Sequence, residues 1–221
     1  MVARDVRYKK FEPSAVLFLD HAANPRKGRP LPGSEIAFVR IASTWVVSAA
    51  AMAVILGRTH PDLFAAVGVH SGLPYGSAHD LPSAFAAMHR PDIAGTRVDR
   101  PESAQAWRGS VPTIVFHGDR DATVHPGNGK QVATETAAVN ADQSSRESPA
   151  VESRIGEAPG GYSYTCTLFK DDNEKIVVEH WLVHGAAHAW FGGDPRGSFT
   201  DPNGPDATSE MMRFFLERAR A

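Results

Sequence analysis

Two apolar segments in the second half of the chain each run into a loop that carries acidic or histidine side chains. The first, PTIVFHGDRDATV, spans 112–124 and contains Asp119 and Asp121. The second, WLVHGAAHAW, spans 181–190 and contains His184 and His188. A catalytic triad needs a carboxylate that orients a histidine, and a hydroxyl within hydrogen-bond reach of that histidine. The two loops therefore predict the acid and the base of a triad.

Asp121 is the preferred acid of the first loop. It lies farther along the loop than Asp119, and the apolar Val124 after it can anchor the turn. The alternative is that both acids are ordinary turn residues whose carboxylates cap the helix that follows.

His188 is the preferred base of the second loop. His184 and His188 are four residues apart, which is the spacing of zinc-binding histidines on a helix. Here a glycine-containing loop carries them and no carboxylate lies nearby in the sequence, so no metal site is predicted. His117 and His184 are expected to bond to backbone groups at the strand ends.

The elements that must position these loops alternate between strands and helices. Parallel sheets place their chemistry beyond the carboxyl ends of the strands, where Asp121 and His188 fall. An acid followed later by a histidine is the order found in α/β-hydrolases. The pattern predicts an α/β fold with a mostly parallel sheet flanked by helices. The predicted strands are 15–19, 36–47, 63–69, 113–116, 162–169 and 175–183, and the predicted helices are 48–60, 80–89, 101–107, 129–139 and 206–220.

Some segments carry more specific expectations. Residues 162–169 and 175–183 are predicted to form a β-hairpin. Residues 140–161 are polar and rich in Ser, Glu, Gly and Pro, so they are predicted to form a mobile loop. Phe85 and Trp107 are expected to pack in the core, the common fate of large aromatic side chains.

Composition limits the class of protein. A chain of 221 residues with 42% hydrophobic content suits a single domain, 1–221, with a buried core. The net charge of −2 gives no basic surplus for nucleic acid. One cysteine, Cys166, rules out an intrachain disulfide. No segment approaches the roughly 20 apolar residues of a membrane span, and no signal peptide is expected after the basic start 1–10.

Four motifs together resemble the PHB depolymerase-like esterases, from about residue 48 to the C-terminus. They are THPDLFAAVGVHSGLPYG at 59–76, HGDRDATVHP at 117–126, HGAAHAWFGG at 184–193 and FTDPNGPDAT at 199–208. The resemblance implies an α/β-hydrolase fold and a serine esterase with no metal or cofactor. It also implies an exported enzyme, although a cytoplasmic location stays open. Asp121 and His188 then match the triad acid and base.

The resemblance also implies a substrate class, namely short hydroxybutyrate oligomers or related small esters. Trp190 and Phe191 directly follow the histidine loop and are expected at the mouth of an acyl pocket. Tyr75 is a further candidate for substrate binding, with core packing as its alternative. The oligomeric state is not predicted.

The nucleophile is the part of the pattern that departs from the family. A G-x-S-x-G elbow exposes the serine on a strained turn between strand and helix. The matching segment here, WVVSAAAM at 45–52, has Ser48 as its hydroxyl, with Val46 and Ala50 at the glycine positions. Ser48 is the predicted nucleophile. Ser71 is an alternative that follows a strand without a helix after it, and an inactive hydrolase-fold remnant is the alternative function.

The N-terminal part, 1–47, matches the family poorly and is interpreted as truncated or degenerate. The early His-Gly segment that helps form the family's oxyanion hole is not recognisable there. Residues 41–47 can be back-translated so that another frame gives Arg-Val-His-Val-Gly-Gly, as the family has before its serine. A frame error is therefore a hypothesis, and an uninterrupted reading frame in the resequenced locus would remove it.

Overall fold

The computed structural model describes residues 15–20, 36–41, 46–61, 63–90, 111–141 and 149–218, with side chains described within 50–61, 63–90, 111–140 and 149–218. The helices are α1 (Val46–Thr59), α2 (Leu81–His89), α3 (Gly127–Ala141) and α4 (Ala207–Arg218). The strands are β1 (Ala15–Asp20), β2 (Ile36–Ile41), β3 (Ala66–His70), β4 (Thr113–Gly118), β5 (Ala150–Glu157), β6 (Ser163–Lys170), β7 (Ile176–Val183), β8 (Trp190–Phe191) and β9 (Thr200–Asp201).

The main sheet is mixed, with the strand order β2-β1-β3-β4-β7-β6-β5. Among the described strands, β3–β4 and β4–β7 are parallel, whereas the other four pairings of this sheet are antiparallel. The predicted α/β class with helices flanking the sheet is confirmed, but the sheet is mixed rather than mostly parallel. The β5-β6-β7 meander reverses direction at each connection, and short connections join only antiparallel neighbours. The parallel part is confined to the three strands that carry the site.

Helices cover both faces of the sheet because β3 and β4 are apolar on both sides. Val67, Val69 and Val115 pack in one buried cluster with side chains of α1 and α3. Ala66, Ile114 and Phe116 belong to a second buried cluster that includes α4. Strands buried on both faces lose the apolar-polar alternation. This layering holds the carboxyl ends of β3, β4 and β7 at one edge.

Helix α4 docks through an apolar stripe and one ion pair. Met211, Phe214 and Phe215 are buried at helical spacing, and burying each is worth about 1.5–3 kcal/mol. The buried carboxylate of Glu179 on β7 accepts a 2.7 Å hydrogen bond from Arg213 Nη2 on α4. A buried charge needs such a partner, because an unpaired one would be strongly destabilising.

Most predicted elements occur close to their expected bounds. The hairpin prediction is confirmed, since β6 and β7 pair antiparallel. Helices α2 and α4 are capped at their N-termini, by Asp80 and by the Asp206 carboxylate, which accepts from the backbone N–H of Ser209. Strand β2 ends at Ile41 rather than at Val47, and α1 begins at Val46. The predicted helix 101–107 and Trp107 lie outside the described residues.

Two expectations fail. Residues 150–157 form β5 rather than part of a mobile loop, because the strand gains a full ladder of partners on β6. Local polarity could not reveal that tertiary pairing. Phe85 is 55% exposed rather than in the core, since Ala87 is the side chain that α2 buries. No helix within the described ranges is long and apolar enough to cross a membrane.

Candidate active site

The acid loop holds one buried carboxylate in a fixed direction. Strand β4 is buried throughout and ends at Gly118, after which the chain turns. Asp121 Oδ1 accepts hydrogen bonds from the backbone N–H groups of Thr123, at 2.9 Å, and Val124, at 2.8 Å. The second oxygen, Oδ2, is thereby aimed away from the loop and toward the neighbouring strand end.

The histidine loop brings His188 onto that second oxygen. His188 Nδ1 lies 2.7 Å from Asp121 Oδ2, although the two residues are 67 positions apart in the chain. Since an ionised carboxylate only accepts, Nδ1 carries a proton, and in the neutral ring the lone pair is then on Nε2. The ring is 12% exposed, and none of the described residues hydrogen-bonds Nε2. This arrangement makes Nε2 available as a base.

Asp121 is held in its charged form. Burial acts to raise the pKa of Asp121, but hydrogen bonds from His117, His188 and the Val124 N–H outweigh it and hold that pKa far below its usual range. His117 also contacts the carboxylate. Its Nε2 lies 3.4 Å from Asp121 Oδ2 and 2.8 Å from the Val124 carbonyl oxygen. The carboxylate therefore stays ionised at neutral pH.

A second His–Asp pair joins the same two loops. Asp119 accepts at Oδ2 from His184 Nδ1, at 3.1 Å, and at Oδ1 from the Gly185 N–H, at 2.7 Å. The Thr165 hydroxyl on β6 lies within hydrogen-bond distance of His184 Nε2, at 2.8 Å. Gly185 has a φ of +84°, which favours glycine at this position. His184 thus bonds to side chains rather than to the expected backbone groups, and it fixes one loop on the other.

His184 and His188 bind different carboxylates rather than a shared partner. His184 pairs with Asp119 and His188 pairs with Asp121. Within the part of the chain that the structure describes, no group of three or more His, Cys, Asp or Glu side chains has the arrangement of a metal site.

His70, which the sequence reasoning did not single out, contacts the residues that follow the histidine loop. This buried residue ends β3, and its Nε2 accepts from the backbone N–H of Phe191 at 3.3 Å. Its ring stacks on Trp190, with centroids 4.9 Å apart. Burial, together with His117 and His188, lowers the pKa of His70 to about 3. The ring is therefore neutral, as its acceptor role requires.

Ser71 follows His70 in an unusual backbone conformation. Its φ is +50°, a region that residues other than glycine, asparagine and aspartate rarely adopt. The side chain is fully buried, and its Oγ lies 3.5 Å from His70 Nδ1. No helix begins directly after it, since α2 starts at Leu81. Ser71 is therefore directed toward His70 and lacks the strand-to-helix context of a nucleophile elbow.

Ser48 is the third residue of α1, so its position is defined by that helix. Strand β2 is parallel to β3, because both pair antiparallel with β1, and its carboxyl end lies at the same edge as the two loops. In the next turn of α1, Ala50 lies against Gly72, where an added Cβ would meet the Ala50 Cβ at 2.9 Å. The first turn of α1 therefore begins near the edge that carries Asp121 and His188.

The aromatic candidates for substrate binding do not line an open mouth. Phe191 is fully buried in the core cluster, and Trp190 is 7% exposed with its Nε1 donating to Thr208 Oγ1 at 3.0 Å. Their rings pack on His70 beneath the loop, because the apolar sequence after His188 turns inward as β8. Tyr75 lines a small cleft between α1 and α3 on one face of the sheet.

The sequence reasoning also missed Asn128, in the first turn of α3. Its buried Nδ2 donates to the carbonyl oxygens of Ala87, at 3.0 Å, and His125, at 3.2 Å. It thereby ties α2 to the acid loop. In the sequence, Asn128 is marked only by its position a few residues after the acid loop. That position does not distinguish a buried amide from one on the surface.

A mixed sheet with helices on both faces, and with acid and histidine loops at the carboxyl ends of adjacent parallel strands, defines an α/β-hydrolase-like protein. The chain belongs to the Esterase PHB depolymerase family, whose model matches residues 35–154. That match includes Ser48 and Asp121 and begins earlier than the expected boundary near residue 48.

Two known proteins are similar to this chain. Poly(3-hydroxyalkanoate) depolymerase C of Paucimonas lemoignei is 28% identical over 154 residues, which are 67% of this chain and 35% of that protein. A solved PHB depolymerase variant complexed with an R3HB trimer has 17% identity and a TM-score of 0.46, over 78% of this chain and 48% of that one. The chain thus spans about a third of the curated relative and about half of the solved one.

Proposed function

We propose that this protein is a serine-type carboxylic ester hydrolase in which Asp121, His188 and Ser48 act together. The observation that carries the proposal is the 2.7 Å contact between His188 Nδ1 and the buried, ionised Asp121. It leaves the lone pair of His188 Nε2 free to take a proton, as a general base must.

In this mechanism the Ser48 hydroxyl attacks the ester carbonyl carbon while its proton passes to His188 Nε2. Asp121 keeps the ring in the required tautomer and stabilises the imidazolium that forms. The proton then goes to the departing alcohol, which leaves an acyl group on Ser48. A water molecule, deprotonated by the same nitrogen, attacks that acyl group, and the acid is released when Ser48 regains its proton.

We propose short hydroxybutyrate oligomers or related small esters as the substrates. Membership of the esterase family supports the ester class, and the relative named as a poly(3-hydroxyalkanoate) depolymerase supports the hydroxyalkanoate type. An extracellular location is proposed on the same ground. Fractionating cells that produce the protein from its native locus tests that location, and retention in the cytoplasm contradicts it.

A second candidate is an inactive hydrolase-fold protein, and the start of α1 favours it. A nucleophile elbow holds the serine on the turn that precedes the helix, whereas Ser48 is already the third helical residue. Val46 and Ala50 occupy the places where the motif has glycines, and β-branched Val46 resists strained backbone angles.

Labelling with a fluorophosphonate separates the two candidates, because the reagent modifies only an activated hydroxyl. The folded wild-type chain is compared with Ser48→Ala, Ser71→Ala and His188→Gln, with exposed Ser198→Ala as the matched control. The esterase proposal expects loss of labelling in Ser48→Ala and His188→Gln only. Absence of labelling in the folded wild type supports the inactive protein, and loss confined to Ser71→Ala moves the nucleophile to Ser71.

Hydrolysis of 3-hydroxybutyrate trimer and of p-nitrophenyl butyrate by the same set of variants then tests the substrate class. Labelling without turnover of either ester would contradict the proposed substrates while leaving the nucleophile in place.

A further inference from the structure

Strand β5 forms an outer edge of the main sheet. All of its residues, Ala150–Glu157, are in register with β6 on one side. On its other side, none of the described strands pairs with it. A long, regular edge presents unpaired backbone N–H and C=O groups, and natural proteins either protect such an edge or use it for association.

One face of β5 exposes two apolar side chains. Val151 is 58% exposed and Ile155 is 83% exposed, and Ser153 lies between them on the same face. The opposite face carries Glu152 and Arg154, whose side chains meet at 2.8 Å within the strand. Two exposed β-branched residues beside two opposite charges are poor protection for an edge, because they favour strand pairing.

The sequence of β5 is complementary to itself in one antiparallel register. If Ser153 lies opposite Ser153 of a second copy, Val151 lies opposite Ile155, and Glu152 lies opposite Arg154. Directly opposed side chains in a sheet are the pairs that interact most, and opposite charges there are favourable.

The neighbouring registers are all mismatched. A two-fold axis at Glu152 or at Arg154 places like charges directly opposite each other, which is destabilising. An axis between residues places Val151 opposite Arg154, or Glu152 opposite Ile155. The charges therefore select one register, and its symmetry allows a closed dimer rather than an open chain of copies.

We propose that β5 is a homodimer interface, in which two copies of this chain pair antiparallel along β5 with Ser153 at the two-fold axis. The sheet then continues through both copies. Strand β5 is parallel to β7, since each pairs antiparallel with β6. In the dimer, the sheet edges that carry Asp121 and His188 therefore point in opposite directions in the two copies. Both His188 loops stay open to solvent in the dimer.

Sedimentation velocity on the full chain, over about a hundredfold range of concentration, tests the proposal. The wild type is expected to shift from monomer to dimer. Glu152→Arg and Arg154→Glu are each expected to weaken the dimer by about tenfold or more, because each places like charges opposite each other. The double variant E152R/R154E is expected to restore it in part, because the charges between the two copies are exchanged but stay complementary. The 2.9 Å contact of Lys170 with Glu152 is lost in this variant as in Glu152→Arg.

A control is Lys175→Glu, a charge reversal at an exposed position in the turn between β6 and β7. It is expected to leave the dimer unchanged. A wild type that stays monomeric over the whole range overturns the proposal, as does one that forms open-ended aggregates. A double variant that associates no better than the single variants overturns the register.

Cross-linking tests the register independently of charge. Ser153→Cys places two thiols at the axis and is expected to form a disulfide-linked dimer under mild oxidation. Glu157→Cys lies on the same face but far from its counterpart, so it is expected to stay unlinked. Burial raises the pKa of the native Cys166 thiol to about 12, so it does not interfere. Equal cross-linking of the two variants contradicts the proposed axis.

Discussion

His70 Nε2 and the backbone N–H of Phe191 form a hydrogen bond of 3.3 Å across 121 positions of the chain. It joins the end of β3 to the residues directly after the proposed base. The ring that accepts it also stacks on Trp190. His70 is therefore the contact through which the buried sheet supports the histidine loop.

Two substitutions of His70 distinguish the contribution of its hydrogen bond to Phe191 from the contribution of its ring packing. His70→Leu leaves the buried Phe191 N–H without a partner, which is expected to cost about 1–3 kcal/mol in the free energy of unfolding. His70→Gln supplies an oxygen acceptor and is expected to lose less stability. Urea unfolding of both variants measures the difference. Equal losses would mean that packing of the ring, rather than the hydrogen bond, supports the loop.

Stability is expected to fall when the pH drops below about 6.5. The pKa of His70 is lowered to about 3, first by burial and then by His117 and His188, while Asp121 opposes this in part. Between these pH values the unfolded chain binds a proton that the folded chain excludes, so acid favours unfolding. His180, whose pKa burial lowers to about 4, acts in the same direction. The decrease in the free energy of unfolding that His70 causes is absent well above pH 6.5 and reaches a few kcal/mol near pH 3.

The free energy of unfolding between pH 7 and pH 4 checks this expectation. His70→Gln, which does not titrate, should show a shallower slope than the wild type over this window. Thr123→Ala, an exposed change in the acid loop, serves as the control and should keep the wild-type slope. Parallel slopes for the wild type and His70→Gln would contradict a neutral, buried His70.

Substitutions of the two acids in the first loop are expected to reduce kcat to different extents. Asp121→Asn keeps the size of the side chain but cannot stabilise an imidazolium, so kcat for ester hydrolysis is expected to drop by about ten-thousandfold. Asp119→Asn alters a half-exposed contact with His184 and is expected to reduce kcat far less. Steady-state kinetics on p-nitrophenyl butyrate makes the comparison. Similar losses in kcat would mean that both pairs serve the chemistry.

Gly118 permits the close approach of the two loops. A Cβ at this position would collide with the carbonyl oxygen of Ala186, which also accepts from the Arg120 N–H at 3.0 Å. Gly118→Ala is therefore expected to force the loops apart and to destabilise the protein by about 1–3 kcal/mol. Thermal unfolding measures this, with Thr123→Ala as the control from the same loop. An unchanged melting temperature would show that the loops can separate freely.

The sequence predicted those parts of the protein that depend on local pattern. The strand-then-loop segments around Asp121 and His188 and the β6–β7 hairpin follow from side-chain type and spacing over a few residues. The strand at 150–157 could not be predicted in this way, because its polar composition resembles a loop and its stability comes from the ladder with β6.

The sequence alone determined which residue types stand at the strand ends, since apolar runs and the acids and histidines after them are local properties. Only the tertiary structure decided how those residues pair. It joins Asp121 to His188 and Asp119 to His184, and it directs His70 to Phe191. These contacts span 65 to 121 positions, and their distances depend on how strands pack side by side. No local pattern carries that information, because the direction and order of the strands are set by the whole core.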